Sequence, residues 1–271
     1  MSRIIRRNTY LRRALLAAIV IPFAWASYVF IRVYRSKAYY PRAYYVASEK
    51  KTRVAFDKKR PATWTTIDQV SKVAKSAILL SEDARFFQHG GFDFEELRKA
   101  FEKNLEKGKA VRGASTISQQ VAKNLFLHRR KTITRKIMEA VYTVALETFY
   151  SKKQILEIYL NVAEWGLGLY GIREASGRYF NKRPSQLNAK EGAFLATLLP
   201  SPVRYSVSFQ RRQLTPFAQR HIRDLLVKMA QTGTISYAEA EYLEHFPLPF
   251  EYVPEEVVQD GVDENVDLEA E

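Results

Sequence analysis

An uncharged, apolar segment near the N-terminus constrains the fold of this chain most. Residues 14–31 hold eighteen side chains with no charge among them, rich in Leu, Ile, Val, Phe and Ala. As a helix the segment would span about 27 Å, which matches one bilayer core. A buried core helix is disfavoured because the segment has no polar face. The sequence therefore predicts a transmembrane helix at residues 14–31.

A cleaved signal peptide is the competing interpretation of this segment. Ala24-Trp25-Ala26 resembles a small-residue cleavage site, but apolar residues continue past it to Ile31, which favours an uncleaved anchor. Arginines in residues 1–13 favour a cytoplasmic N-terminus, although basic residues also follow the segment and make the asymmetry small.

The remaining chain has the composition of a basic globular protein. Its 271 residues include 43 Lys and Arg, 29 Asp and Glu, and 46% hydrophobic residues. Residues 251–271 hold nine acidic residues and no basic ones, so residues 1–250 carry a net charge of +23. A field of that sign attracts nucleic acid, anionic lipid or a phosphate-bearing substrate. The acidic stretch at 251–271 is predicted to be a disordered tail, with a regulatory use as the alternative.

Composition also excludes several classes of site. The chain has no cysteine, which excludes disulfides, thiolate zinc sites, iron–sulfur clusters and cysteine nucleophiles. Its four histidines are scattered without the spacing of a helical metal site, which disfavours a metalloenzyme built on imidazole.

Helical periodicity dominates residues 60–250, after a connector at 32–59. Thr66 with Gln69 resembles a capping box that opens a helix ending near Glu82, and Thr116 with Gln119 resembles another, opening a helix to about Leu127. Further helices are predicted at 94–105, from 133 past 145, from 151, and at 172–179, 188–198, 213–231 and 237–245. No run of alternating strands with hairpin turns appears, so the body is predicted to be all-α.

The first chemically suggestive cluster lies at the end of the helix that reaches Glu82. Glu82 and Asp83 stand where apolar residues give way to aromatic ones. A carboxylate beside apolar surface is desolvated, and desolvation raises its pKa toward values suited to proton transfer. A solvated acidic pair at a helix end is the alternative.

The second cluster follows a glycine-containing loop, at a predicted helix N-terminus that would attract an anion. Its amides and ammonium share one helical face and would suit a sugar diphosphate, whereas a solvent-facing polar stripe is the alternative. Its members are Ser115, Gln119, Gln120, Lys123 and Asn124.

The third cluster combines cations with one acid. Lys131, Arg135 and Lys136 precede Glu139, and Arg135 and Glu139 are four residues apart. An ordinary ion pair on a helix surface is the alternative interpretation.

In their order along the chain, these clusters resemble a known family. Five segments are similar to the five successive motifs of family 51 glycosyltransferases, the peptidoglycan glycosyltransferases, over roughly residues 60–210 and more loosely to 250: SEDARFFQHGGFD, RGASTISQQVAKNLFL, TRKIMEAVY, SKKQILEIYLNVAEWGLGLYGIREASGRYF and LNAKEGAFLATLLPSPVRYS. The membrane anchor and the EWG of the fourth segment are typical of the monofunctional members. The resemblance implies an all-α fold in which a transmembrane helix precedes a two-lobed, partly lysozyme-like helical domain at 60–250.

The resemblance also implies an inverting transfer reaction. The growing lipid-linked glycan strand is the donor, the GlcNAc 4-hydroxyl of lipid II is the acceptor, and undecaprenyl diphosphate leaves. Glu82 would be the base and Glu139 the second carboxylate, assisting departure of the diphosphate or organising the cations around it. The remaining site residues are implied to bind substrate, as diphosphate-neutralising cations or as sugar- and phosphate-positioning groups: Lys123, Lys131, Arg135 and Lys136, and Ser115, Gln119, Gln120 and Asn124.

Partners and location follow from the same resemblance. The enzyme would act at the bacterial cytoplasmic (inner) membrane, with one transmembrane pass and the catalytic domain on the outer, periplasmic side. It would need no cofactor that the sequence shows, and a divalent cation, Mg²⁺ or Mn²⁺, would be compatible with the diphosphate. Other cell-wall synthases or division proteins are candidate partners, and no nucleic-acid partner is implied.

Two positions depart from the family pattern. Ala114 stands where many members have a second glycine, so the loop would be strained there if that position required a positive φ. Lys131 stands where arginine is frequent, and it keeps the charge without the bidentate geometry for phosphate. Two other functions stay open at this point: a lysozyme-like enzyme that cleaves glycans, and a non-enzymatic basic membrane protein that binds nucleic acid or anionic lipid.

Overall fold

The structure is a computed structural model that describes residues 2–108, 113–127 and 132–251. The chain divides into two compact units: Met1–Ile67 with Arg85–Val162, and Asp68–Ala84 with Ala163–Glu271. Residues 252–271 of the predicted acidic tail lie outside the described residues.

The first unit begins with the long helix α1 (Ser2–Ser36). Its stretch Leu16–Ser36 is long and apolar enough to cross a membrane, which agrees with the predicted anchor. The C-terminal end of α1 lies against helix α5 (Ile133–Phe149). Phe30 and Tyr34 contact the ring of Phe149 at centroid distances of 5.8 and 5.4 Å. The C-terminal end of the predicted membrane helix therefore packs on α5 of the same unit.

A hairpin follows α1 in the predicted connector. Strand β1 (Tyr40–Val46) pairs antiparallel with β2 (Lys51–Asp57), and Lys50 in the turn adopts a left-handed conformation with φ 47°. No strand was predicted in this connector, so the hairpin adds to the predicted all-α body. Its signal was the density of Tyr, Val, Thr and Phe, residues that favour strands.

Among the described residues, three more helices complete the first unit besides α1 and α5. They are α3 (Phe94–Glu106), α4 (Ile117–Phe126) and α6 (Lys152–Val162), with α2 of the second unit intervening in the chain as Lys72–Glu82. Helix α4 packs on both α5 and α6, and α6 also packs on β1. These contacts place the N-terminus of α4 and the buried face of α5 side by side.

The helix predicted to open at the Thr66 and Gln69 pattern begins later than expected. Ile67–Gln69 forms a 3-10 turn, and α2 begins after Ser71, whose hydroxyl accepts a hydrogen bond from the Ala74 N–H. The Ile67 N–H donates to the carboxylate of Glu157 on α6 at 2.9 Å, which fixes the start of this turn on the first unit.

The second unit is built around helix α8 (Ala189–Leu198), of which every residue is buried. The strands β3 (Glu164–Gly166) and β4 (Leu169–Tyr170) form a small hairpin, and the other helices are α7 (Ile172–Phe180), α9 (Pro202–Tyr205), α10 (Val207–Gln210), α11 (Pro216–Gln231) and α12 (Tyr237–His245). Helix α8 packs on α2, α11 and α12. The all-α prediction is confirmed for the body of the chain, with two short hairpins added.

Candidate active site

Glu82 is the last residue of α2 and is half-buried. Its helix is fixed within the second unit along its whole length. A Cβ built on Gly192 of α8 would lie 2.6 Å from Ala74 Cα, so the two backbones touch. Near the C-terminal end, the Ser81 hydroxyl lies 3.3 Å from His221 Nε2 on α11. Packing therefore defines where the helix presents Glu82.

Glu139 lies on α5 in the first unit and is only 3% exposed. Its carboxylate accepts hydrogen bonds from Lys136 Nζ and, at 3.4 Å, from Arg135 on the preceding turn. Two cations thus share one buried carboxylate. The carboxylate therefore orients two cations of its own helix, and its predicted part in the reaction stays a prediction.

Because Glu82 and Glu139 belong to different units, their predicted convergence on one bond stays a prediction. The contacts just given fix the helix that carries Glu82 in one unit and the carboxylate of Glu139 in the other.

The start of α4 forms the predicted capping box in full. The Thr116 hydroxyl accepts from the Gln119 N–H, and Gln119 Oε1 accepts from the Thr116 N–H at 3.0 Å. Gln119 is 7% exposed, so its side-chain oxygen serves the cap. Its predicted contact with substrate stays a prediction, and this local role competes with it.

The other predicted residues of α4 follow the cap. Ser115 is exposed just before it, and Asn124 is exposed one turn beyond Gln120. Gln120 accepts a hydrogen bond from the Tyr159 hydroxyl at 3.4 Å, and Lys123 is half-buried. The first unit therefore brings the predicted polar residues of α4 and the cations of α5 onto packed neighbouring helices.

Two predictions about the loops have different outcomes. Ala114 does not adopt a positive φ, since the described non-glycine residues that do so are Lys50, Asn181 and Arg212. The strain expected at Ala114 is thus not found. Lys131 lies outside the described residues, as does Arg112 before the second cluster.

Sequence reasoning missed an ion pair that fixes the segment after Glu82. Arg85 donates to both oxygens of Asp93 and to Glu95, and Asp93 also caps α3 by accepting from the Glu96 N–H at 2.8 Å. The Arg85 guanidinium is the main cause that lowers the pKa of Asp93 to about 2. The sequence did contain a signal for the cap, because Asp93 stands three residues before Glu96 at the start of a predicted helix.

Glu147, also missed, lies two turns after Glu139 on α5 and accepts from Ser118 and Lys152. Its partner Ser118 lies 29 residues away in sequence, so no local pattern revealed the contact.

The residues around Glu139 fit a protein-held divalent cation poorly. Mg²⁺ and Mn²⁺ require several oxygen ligands, whereas this cluster offers one carboxylate already paired with Lys136 and Arg135. A divalent cation would need oxygens from a diphosphate, and its involvement stays a prediction.

The described residues thus combine a capped helix N-terminus, a neighbouring helix with two cations on a buried carboxylate, and an apolar helix long enough to cross a membrane. The family model described as Transglycosylase matches residues 49–229. The chain belongs to this transglycosylase family.

Relatives within the family give the more particular comparison. The biosynthetic peptidoglycan transglycosylase of Azoarcus sp. (strain BH72) is 42% identical over 209 residues, which cover 75% of this chain and 89% of that protein. The protein of the same name from Nitrosomonas eutropha is 38% identical over 212 residues, covering 76% and 86%. That from Chromobacterium violaceum is 52% identical over 142 residues, covering 52% and 62%.

Proposed function

We propose that this chain is a membrane-anchored peptidoglycan glycosyltransferase that polymerises lipid II into β-1,4-linked glycan strands. The observation that carries the proposal is the family match over residues 49–229, which includes both Glu82 and Glu139. The name that the relatives share, biosynthetic peptidoglycan transglycosylase, specifies peptidoglycan as the product.

In the proposed reaction, the 4-hydroxyl of the GlcNAc of lipid II attacks C1 of the reducing-end MurNAc of the growing strand. The new C1–O4 bond replaces the bond from C1 to the diphosphate oxygen, with inversion at C1. Glu82 takes the proton of the attacking hydroxyl, and undecaprenyl diphosphate leaves with the electron pair of the broken bond.

The cationic group on α5 supports the second half of this reaction. Negative charge grows on the diphosphate as the bond breaks, and cations fixed in advance stabilise that charge without reorganisation. Glu139 pairs with Lys136 and Arg135 of the preceding turn, and the Lys136 side chain remains 52% exposed to solvent. Lys123, Lys131 and the polar residues Ser115, Gln119, Gln120 and Asn124 would position the sugars and phosphates.

The anchor supports a reaction at the membrane surface. A tether raises the effective concentration of an enzyme near a substrate that is itself lipid-linked. We place the N-terminus in the cytoplasm and the catalytic domain on the outer side of the bacterial inner membrane, from the arginines that precede the apolar segment. Other cell-wall synthases and division proteins are proposed as partners.

The test incubates detergent-solubilised, full-length protein with lipid II and separates the products by gel electrophoresis. We expect a ladder of glycan polymers that a muramidase digests. A parallel incubation with purified cross-linked sacculi distinguishes synthesis from cleavage. Soluble fragments from sacculi without polymer from lipid II would instead identify a lysozyme-like enzyme, and salt-sensitive lipid or nucleic-acid binding without turnover would refute an enzyme altogether.

A further inference from the structure

A nearly buried carboxylate connects three segments of the first unit. Glu147 of α5 accepts hydrogen bonds from the Ser118 hydroxyl and, at 2.7 Å, from Lys152 Nζ. The side chains of Glu147 and Lys152 are 13% and 19% exposed, and Ser118 is fully buried. Ser118 is the second residue of α4, and Lys152 is the first of α6. One carboxylate thus connects the starts of both helices to α5.

Lys152 extends the network to the segment after Glu82. Its ammonium lies 4.4 Å from the centroid of the Phe86 ring, and that ring is fully buried. A desolvated cation over an aromatic face is held more strongly than an exposed one. Phe86 follows Glu82 by four residues in sequence.

Gly91 brings the same segment against α5. Its φ is +94°, and a Cβ there would lie 2.8 Å from Thr143 Cγ2 and 3.0 Å from Glu147 Cγ. The Gly91 carbonyl also accepts a hydrogen bond from the Thr116 hydroxyl at 2.7 Å. Segment 86–91 and the N-terminus of α4 are therefore both fixed where Glu147 lies.

We infer that Glu147 is a positioning residue for the transfer reaction. Its hydrogen bond with Ser118 fixes the position of the start of α4, and its ion pair with Lys152 fixes the cation that lies over the Phe86 ring. The inference rests on the proposed function, in which Gln120, Lys123 and Asn124 of α4 contact lipid II. A shift at the start of α4 would move these three side chains together. Loss of the Glu147 contacts should therefore weaken substrate binding.

Folding and positioning can be separated because a buried ion pair is often replaceable by apolar residues without loss of stability. The double variant Glu147→Met/Lys152→Met removes both charges together, and Ser118→Ala removes only the hydroxyl and leaves the ion pair. Thr148→Val is the matched control, since Thr148 is exposed on α5 and its hydroxyl donates to Val144 O of the same helix at 2.8 Å.

The experiment measures thermal unfolding and initial polymerisation rates over a range of lipid II concentrations. We expect Ser118→Ala and the double variant to melt close to the wild-type temperature, and to raise KM roughly tenfold while kcat changes much less. Thr148→Val keeps the wild-type KM.

Wild-type KM and kcat in both Ser118→Ala and the double variant would overturn the inference and leave the proposed function intact. If the double variant does not fold, the KM of Ser118→Ala alone tests the inference, because this variant retains the ion pair between Glu147 and Lys152. A wild-type protein that forms no polymer overturns the proposed function itself.

Discussion

Lys136 donates a hydrogen bond to Glu139 one turn further along α5, pairing an ammonium that is half exposed with a carboxylate that is almost completely buried. Arg135 adds a second cation on the same carboxylate. The three side chains together carry one net positive charge. A buried acid therefore fixes two cations, and the proposed mechanism assigns these cations to the diphosphate of the substrate.

Glu139→Gln is predicted to slow polymerisation of lipid II at least about tenfold, because an amide no longer anchors the two cations that stabilise the leaving group. Initial rates at saturating lipid II test this. Glu102→Gln is the control, since Glu102 pairs with Arg98 at 3.9 Å on the exposed surface of α3 and should leave the rate unchanged. Wild-type turnover by Glu139→Gln would rule out the organising role.

Gly192→Ala is predicted to destabilise the second unit by about 1–3 kcal/mol, the usual cost of overpacking a core. The added Cβ would lie 2.6 Å from Ala74 Cα, so one of two packed helices must shift. Gly177→Ala is the contrasting change, because a Cβ there meets nothing within 4 Å and should raise stability by up to about 1 kcal/mol. Urea unfolding of both variants measures the difference, and equal effects would contradict the tight contact between α8 and α2.

Asp93 is predicted to make stability depend on pH in the acid range. Hydrogen bonding from Arg85 lowers the pKa of Asp93 to about 2 in the folded protein, against about 3.9 in an unfolded chain. The folded state therefore binds this proton more weakly. The stabilisation is complete above the unfolded pKa and disappears as the pH falls toward 2.

Asp93→Asn isolates this charge, since asparagine still caps a helix. The variant should be less stable than wild type at pH 7, and the two free energies of unfolding should converge near pH 2. Urea unfolding between pH 7 and pH 2 measures both curves. Curves that stay parallel over the whole range would disprove the assigned ion pair.

The sequence predicted helix caps correctly where both hydrogen-bonding residues of the cap lie within one helical turn. The box of Thr116 and Gln119 formed as predicted because both of its hydrogen bonds join residues three apart. The pattern at Thr66 and Gln69 misplaced a helix start, because a 3-10 turn occupies Ile67–Gln69 and α2 begins after Ser71. Capping residues indicate where a helix can begin, and contacts with residues distant in sequence determine where it does begin.

Distant partners explain the other omissions. The β1–β2 hairpin needs cross-strand pairing, which periodicity along one strand does not reveal. Glu147 went unnoticed because its hydroxyl partner, Ser118, is on another helix. The predicted site residues were found by their family motifs, whereas the groups that hold them in place became visible only in the fold.

The central claim is that this chain joins sugars through Glu82, and the initial rate of polymer formation from lipid II by Glu82→Gln tests it most directly. The account predicts no polymer above background from a variant that melts at the wild-type temperature, with full activity retained by Asp68→Asn, an exposed carboxylate of the same unit. Polymer made at the wild-type rate by folded Glu82→Gln would contradict it.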